Sequence, residues 1–402
     1  MTSYRWLQLS FINLLLVATL GILLRYKIAF SLPFIDQKHI LHSHSHFAFT
    51  GWVTHTLLLL MVLYLQKKDP ADTFKKYNPL LLLNLLSAYG MLVSFIIQGY
   101  AFFSISFSTL SIFTSFIFAY FYWRDLNKIP NEGITHHWFK AALIFNILSS
   151  LGAFSLAAVM AFKLVNQAIY LSSVYYFLHF QYNGWFFFAC MGLFFYISRL
   201  QVAKNSTIIF WLMAISCVPA YFLSVLWIAI HPLLYWMVVL ASLIQTAGWI
   251  LFIRLLYTNK AILHSNLSKN SKWLLTLSVI ACSIKITLQQ LSVIPFLSTL
   301  AFGFRPIIIG YLHLVLLGVI TLFLLGFILA SQMIKADKNT ITGIAIFVAG
   351  IFINELLLMI QGVGAITSTL IPYINESLLV AACILFTGML TINLSLKKGS
   401  YA

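Results

Sequence analysis

Apolar runs long enough to cross a bilayer follow one another along this chain with little between them. That pattern restricts the fold more than any other feature. A helix needs roughly 20 apolar residues to span the hydrocarbon core, and a polypeptide in lipid must satisfy its backbone internally. Twelve runs can be drawn, at about 6–30, 39–66, 79–99, 102–123, 138–163, 168–198, 206–229, 231–257, 272–300, 306–331, 340–363 and 376–396. The first is too long, and too poor in a small-residue cleavage site, for a removable signal peptide, so it reads as helix 1. With 61% hydrophobic and 8% charged residues, a soluble domain is excluded. The expectation is an all-α polytopic membrane bundle of twelve transmembrane helices, a single transmembrane domain over 1–402.

The net charge of +16 raises nucleic acid as a partner, but the charge is placed otherwise. With a cytoplasmic N-terminus, 18 of the 24 Lys and Arg fall on inner segments. Five are outer (Arg25, Lys27, Lys38, Lys163, Arg305) and Lys285 lies within a helix. This bias puts both termini in the cytoplasm of a bacterial inner-membrane type arrangement. No aromatic-interleaved basic patch suits nucleic acid; the expected partner is the lipid bilayer.

A motif of the form His-x-x-x-x-Gly occurs at His46–Gly51, His179–Gly184 and His313–Gly318, with spacings of 133 and 134 residues. Spacing at a third of the chain predicts three four-helix pseudo-repeats, about 1–135, 136–268 and 269–402. The motif then falls on the second helix of each, helices 2, 6 and 10. At about 1.5 Å per residue, His46 and His313 lie roughly 12 Å below Lys38 and Arg305, in the outer half of the bilayer.

Imidazole is the usual axial ligand of heme iron, and two on opposing helices give an electron-transferring centre. The alternative is an interhelical hydrogen-bonding contact. The candidate heme ligands are His313 with His46 or His44 of helix 2. His44 and His46 project to nearly opposite sides of a helix, whereas His42 and His46 share a face and could hold a metal ion. The candidate metal residues are therefore His46, His313, His179 and His42. A glycine five residues on makes room for a porphyrin or a helix. Arg305, Lys38 and Arg25 on the outer rim suit heme propionates or interface anchoring. His55 reads as a satisfied core residue, and His136 and His137 as a solvated loop pair. Cys190, Cys217, Cys282 and Cys383 read as buried small hydrophobes. Lys285 and Glu355, inside helices 9 and 11, read as an ion pair or a proton path.

Twelve helices in three pseudo-repeats, with histidines on helices 2 and 10, resemble subunit I of the heme-copper oxidase superfamily. His44-Ser-His46-x-x-x-x-Gly51 with Leu312-His313-Leu314-x-x-x-Gly318 is also similar to the NnrS family of heme- and copper-containing membrane proteins linked to nitric oxide. The resemblance implies a heme, expected to be b-type, held between helices 2 and 10, and a redox partner such as a cytochrome or quinol. Two departures stand against an oxygen-reducing centre. Helix 7 lacks the oxidase His-His pair for copper, and helix 10 has Tyr311-x-His313 where oxidases have His-x-His. The oxidase ligand set for copper is thus not present. His231-Pro232-x-x-Tyr235 only echoes an oxidase motif, on helix 8 and without its glutamate. The expected function is electron transfer or nitric oxide-related redox chemistry without oxygen reduction. The alternative is a secondary transporter, or a metal permease or chaperone using His39, His42, His44 and His46.

Overall fold

The computed structural model describes residues 2–68, 73–130 and 133–400, with the side chain of Ala301 excepted. Among these residues the chain is helical throughout; an isolated antiparallel bridge, Ile334 with Lys398, is the one β contact. The long helices are α1 Ser3–Ala29, α2 Gln37–Lys68, α3 Thr73–Gln98, α4 Phe102–Leu126 and α5 Thr135–Ala161. Next come α6 at 167–198, α7 Ser206–Cys217, α8 Pro232–Thr258 and α9 Lys269–Leu291. The series ends with α10 Arg305–Ala330, α11 Lys338–Ile366 and α12 Ile374–Ser395. Short helices at Lys260–Asn266 and Pro295–Gly303 bridge two of the connections.

The helix starts follow from local chemistry. The first turn of a helix has N–H groups with no intrahelical partner, and a short polar side chain supplies one. Thr2, Asp36, Asn166, Ser268 and Asp337 do this for α1, α2, α6, α9 and α11. Pro232 and Pro306 open α8 and α10, where a missing N–H costs nothing. His231, of the oxidase-like echo, is the cap of α8: its Nδ1 accepts from Leu233 N at 3.2 Å. The α3–α4 hairpin turns at Gly99, at φ +62°, as its glycine allows.

Ten of these helices are long and apolar enough to cross a membrane. An eleventh span results if Ser206–Cys217 and Pro219–Val225, bent by 45°, are one broken crossing. The break sits where Pro219 removes a backbone donor, the kink expected from the sequence. The 167–198 helix is continuous and of comparable length, but its buried centre carries His179, Gln181 and Asn183. This is the architecture of an integral membrane protein.

The chain divides into two compact units, 1–129 with 324–402, and 130–323; the second boundary falls inside α10. In the first, α12 packs on both α11 and α1, α1 on α2, and α3 on α2 and α4. Glycines let α11 and α12 approach closely: a Cβ at Gly388 would stand 2.5 Å from Phe347 N. In the second, α5 packs on α6, α7 on α8, and α9 on α8 and on the middle of α10.

Candidate functional site

All three motif copies share a backbone feature that the sequence does not announce. One or two residues after each histidine the helix widens into π geometry, at Ala48–Thr54, Phe180–Phe186 and Leu314–Thr321. π-helix makes up well under about 1% of residues in ordinary proteins and recurs at functional sites. Each segment spans the motif glycine, Gly51, Gly184 or Gly318.

A π turn leaves carbonyls that the α ladder would have used, and in a bilayer they need protein donors. Polar side chains on the flanking helices supply them. In the first copy Asn13 Nδ2 of α1 donates to Gly51 O at 2.6 Å, and Asn84 Nδ2 of α3 to Thr50 O at 3.3 Å. Asn13 is itself fixed by Tyr89, whose hydroxyl donates to Oδ1 at 2.7 Å. In the second, Cys217 Sγ of α7 points at Asn183 O, 3.8 Å away. Asn84 and Cys217 are 133 residues apart, as are the Thr50 and Asn183 carbonyls they serve. In the third, Ser278 Oγ of α9 donates to Val319 O at 2.7 Å.

The glycines make room for protein. A Cβ at Gly184 would meet Phe145 Cβ of α5 at 2.5 Å, and one at Gly318 would meet Ala281 Cβ of α9 at 3.2 Å. At Gly51 the space is taken by the ring of Phe47, 2.7 Å away, on the same helix. Of the two expected occupants, porphyrin or helix, the protein itself fills these positions.

On α2 the histidines separate as helical geometry requires. His44 lies against α1, its Cε1 3.7 Å from where a Cβ of Gly21 would stand. His39, His42 and His46 face the end of α3. His46 Nε2 is 3.0 Å from the Tyr100 hydroxyl, and its ring stacks on Phe95 at 4.5 Å. His42 meets Tyr100 edge-on at 4.6 Å, and His39 Nδ1 donates to Ile96 O at 3.3 Å. Among the described residues no three His, Cys, Asp or Glu side chains converge as metal ligands. The set His39, His42, His44 and His46 therefore does not form a cage.

His179 is buried with both ring nitrogens engaged. Nε2 donates to Cys217 O at 2.8 Å, and Nδ1 accepts from Asn183 Nδ2 at 3.1 Å. This is the interhelical hydrogen bond foreseen as the alternative to metal ligation. His313 has the other tautomer: Nδ1 donates to Ile309 O one turn back at 2.8 Å, which leaves the ring lone pair on Nε2. Metal-bound imidazoles take that arrangement, with the second nitrogen tied to a carbonyl. Arg305 is exposed at the start of α10.

Several neighbouring expectations change. His136 is buried in the first turn of α5 and only His137 is exposed, because α5 begins at Thr135. Cys383 is exposed on α12, unlike the three buried cysteines. His55 is buried beside Trp6, with Nδ1 near Asn84 Nδ2 at 3.4 Å, but its Nε2 has no partner among the described residues. Glu355 takes a hydrogen bond from Asn354 at 3.2 Å. Sequence reasoning missed Asn13, Asn84, Cys217, Ser278 and Tyr100. For the first four the readable signal was a polar or thiol residue inside an apolar run.

The chain matches no protein-family model, and no curated protein is similar to it.

Proposed function

We propose that this chain is a heme-binding integral membrane protein of twelve spans, with α6 counted as a span, in three four-helix repeats. Its role in this reading is electron transfer or nitric oxide-related redox chemistry without oxygen reduction. The observation that carries it is the recurrence, at one repeat interval, of a histidine that runs into a π segment held by side chains of adjacent helices. A helix distorted in the same place three times fixes the direction of the histidine before it, which is what a rigid ligand site requires.

His313 and a histidine of α2, His46 or His44, would hold the heme iron, and Arg305 would hold a propionate. The donor chemistry fits: His313 holds its Nδ1–H on Ile309 O. A bound heme would supply a reversible one-electron centre, and the chain contributes orientation and exclusion of water. Ligation by His46 would replace its hydrogen bond to Tyr100. His179, occupied at both nitrogens, is assigned a structural role, and no copper is assigned.

The first experiment is the visible spectrum and heme content of the purified protein. We expect a low-spin heme that is lost in His313→Ala and in one of His46→Ala and His44→Ala. Full heme and an unchanged low-spin spectrum in all three folded variants would remove the assignment. A secondary transporter or metal permease is the second reading. The 45° break between Cys217 and Pro219 favours it, since carriers use interrupted helices. A colourless purified protein that moves a solute in vesicles would decide for it.

A further inference from the structure

Glu355 is the one ionisable side chain of α11 between Asn339 and Ile366, 17 residues after Lys338 and 11 before Ile366. At about 1.5 Å per residue it lies at least roughly 16 Å from either end of the helix, well inside the hydrocarbon. It is half-buried. Among the described residues its one hydrogen bond comes from its chain neighbour, Asn354 Nδ2, at 3.2 Å, whereas a carboxylate has room for about four. Neither Glu355 nor Lys285 has an ion pair among the described residues. Ionisable groups at membrane depth are costly unless paired, and lipid tails offer no donor.

α11 has a side on which a partner fits. Its Gly343, Phe347 and Gly350 pack against α12. Away from that contact it carries Ala345, Ala349, Phe352, Leu356, Met359 and Val363, all exposed. They follow at intervals of four, three, four, three and four, the heptad spacing of a helix-packing seam. Ala345 and Ala349 let another backbone come close, while Phe352 and Met359, 72% and 61% exposed, project. Glu355 immediately precedes Leu356. In heptad terms it stands at the flanking position that carries interhelical charge pairs in coiled coils. The cation opposite must come from a different protein. Among the described residues Lys285 is the one Lys or Arg set more than five residues inside a long helix, and it is 5% exposed. A second copy of this chain therefore presents no cation at that depth.

We propose that the seam from Ala345 to Val363 is a docking surface for one transmembrane helix of a partner subunit, and that Glu355 pairs with a Lys or Arg on that helix. Charge and seam act together: the apolar ridge sets the register, and the ion pair selects the partner. The surface stands independently of the heme reading, because it uses no heme ligand and can be measured on protein free of heme.

The test uses synthetic transmembrane helices of about 20 residues, built from Leu and Ala with one central Lys, Leu or Glu. Each carries a donor dye, and the purified full chain carries an acceptor at its C-terminus, in phosphatidylcholine vesicles. Energy transfer should show saturable binding of the Lys helix to the wild type, roughly tenfold tighter than that of the Leu helix. E355Q should remove that advantage, and A349F, which fills the seam, should weaken binding of the Lys helix. Equal binding of the Lys and Leu helices overturns the proposal, as does undiminished binding to E355Q or A349F. Tighter binding of the Glu helix than of the Lys helix overturns it as well. So does self-association of the wild type that E355Q abolishes, since the occupant would then be a second copy. Should E355Q fail to fold, A349F decides by itself, because Ala349 is exposed.

Discussion

Nε2 of His179 donates to Cys217 O on a neighbouring helix, whereas His313 donates from Nδ1 to Ile309 O of its own helix. The same motif thus produces two tautomers, and the tautomer separates a structural imidazole from one with ligand chemistry. His179→Ala should leave the Cys217 carbonyl and the Asn183 amide unpaired and destabilise by about 1–3 kcal/mol. Heme content should not change; denaturant unfolding and a heme assay on the same sample check both halves. The sequence places all three histidines at matching positions, and that part is legible. Their partners are not, because Cys217 and Tyr100 come from elements whose packing no spacing within α2 or α6 reveals.

The π segments are the elements on which the histidine directions depend. His-x-x-x-x-Gly shows only the spacing; the widened turn is imposed by donors on other helices. Asn13 and Asn84 hold the first segment, and Ser278 the third. Asn13→Ala removes the donor to Gly51 O and frees Tyr89 as well. It should cost about 1–3 kcal/mol and speed amide exchange across 48–54 while leaving 180–186 unchanged. Equal acceleration in both segments would mean that Asn13 acts globally. The 133-residue relation between Asn84 and Cys217 was hidden in the sequence because the residue type changes while the task stays the same. By contrast, Pro219, Pro232, Pro306 and Gly99 each sit where their backbone chemistry predicts a break, a start or a turn.

For the whole molecule, the apolar runs foretold most helices to within a few residues. Lys260–Asn266 lies in a polar connection without a strong pattern, and the apolar run at 272–300 hides the end of α9 at Leu291 and the separate short helix Pro295–Gly303, because that helix is itself apolar. The C-terminal tail is tied back by polar contacts. Lys397 Nζ donates to Asp337 Oδ2 at 3.0 Å, Lys335 N to Lys397 O at 3.0 Å, and Gly399 N to Met333 O at 3.1 Å. The Thr340 N–H and then the Lys397 ammonium hold the Asp337 carboxyl down to about 2. A depressed carboxyl contributes stability that is complete above its unfolded pKa, about 3.9, and is lost as pH falls through the folded value. The tail contact should therefore persist at pH 4 and release near pH 2. Asp337→Asn should release it at neutral pH, read as faster amide exchange at Lys335 and Gly399. The helix at 167–198 has a further consequence, for how the chain enters the membrane. Its buried centre, with His179, Gln181 and Asn183, is too polar to partition into lipid alone. Gln181 Nε2 donates to Asn146 Oδ1 at 3.0 Å and Ser149 Oγ at 2.7 Å, both on α5. If α6 crosses the bilayer, it must do so as a hairpin with the helix made just before it, and α5 acts as its chaperone during synthesis.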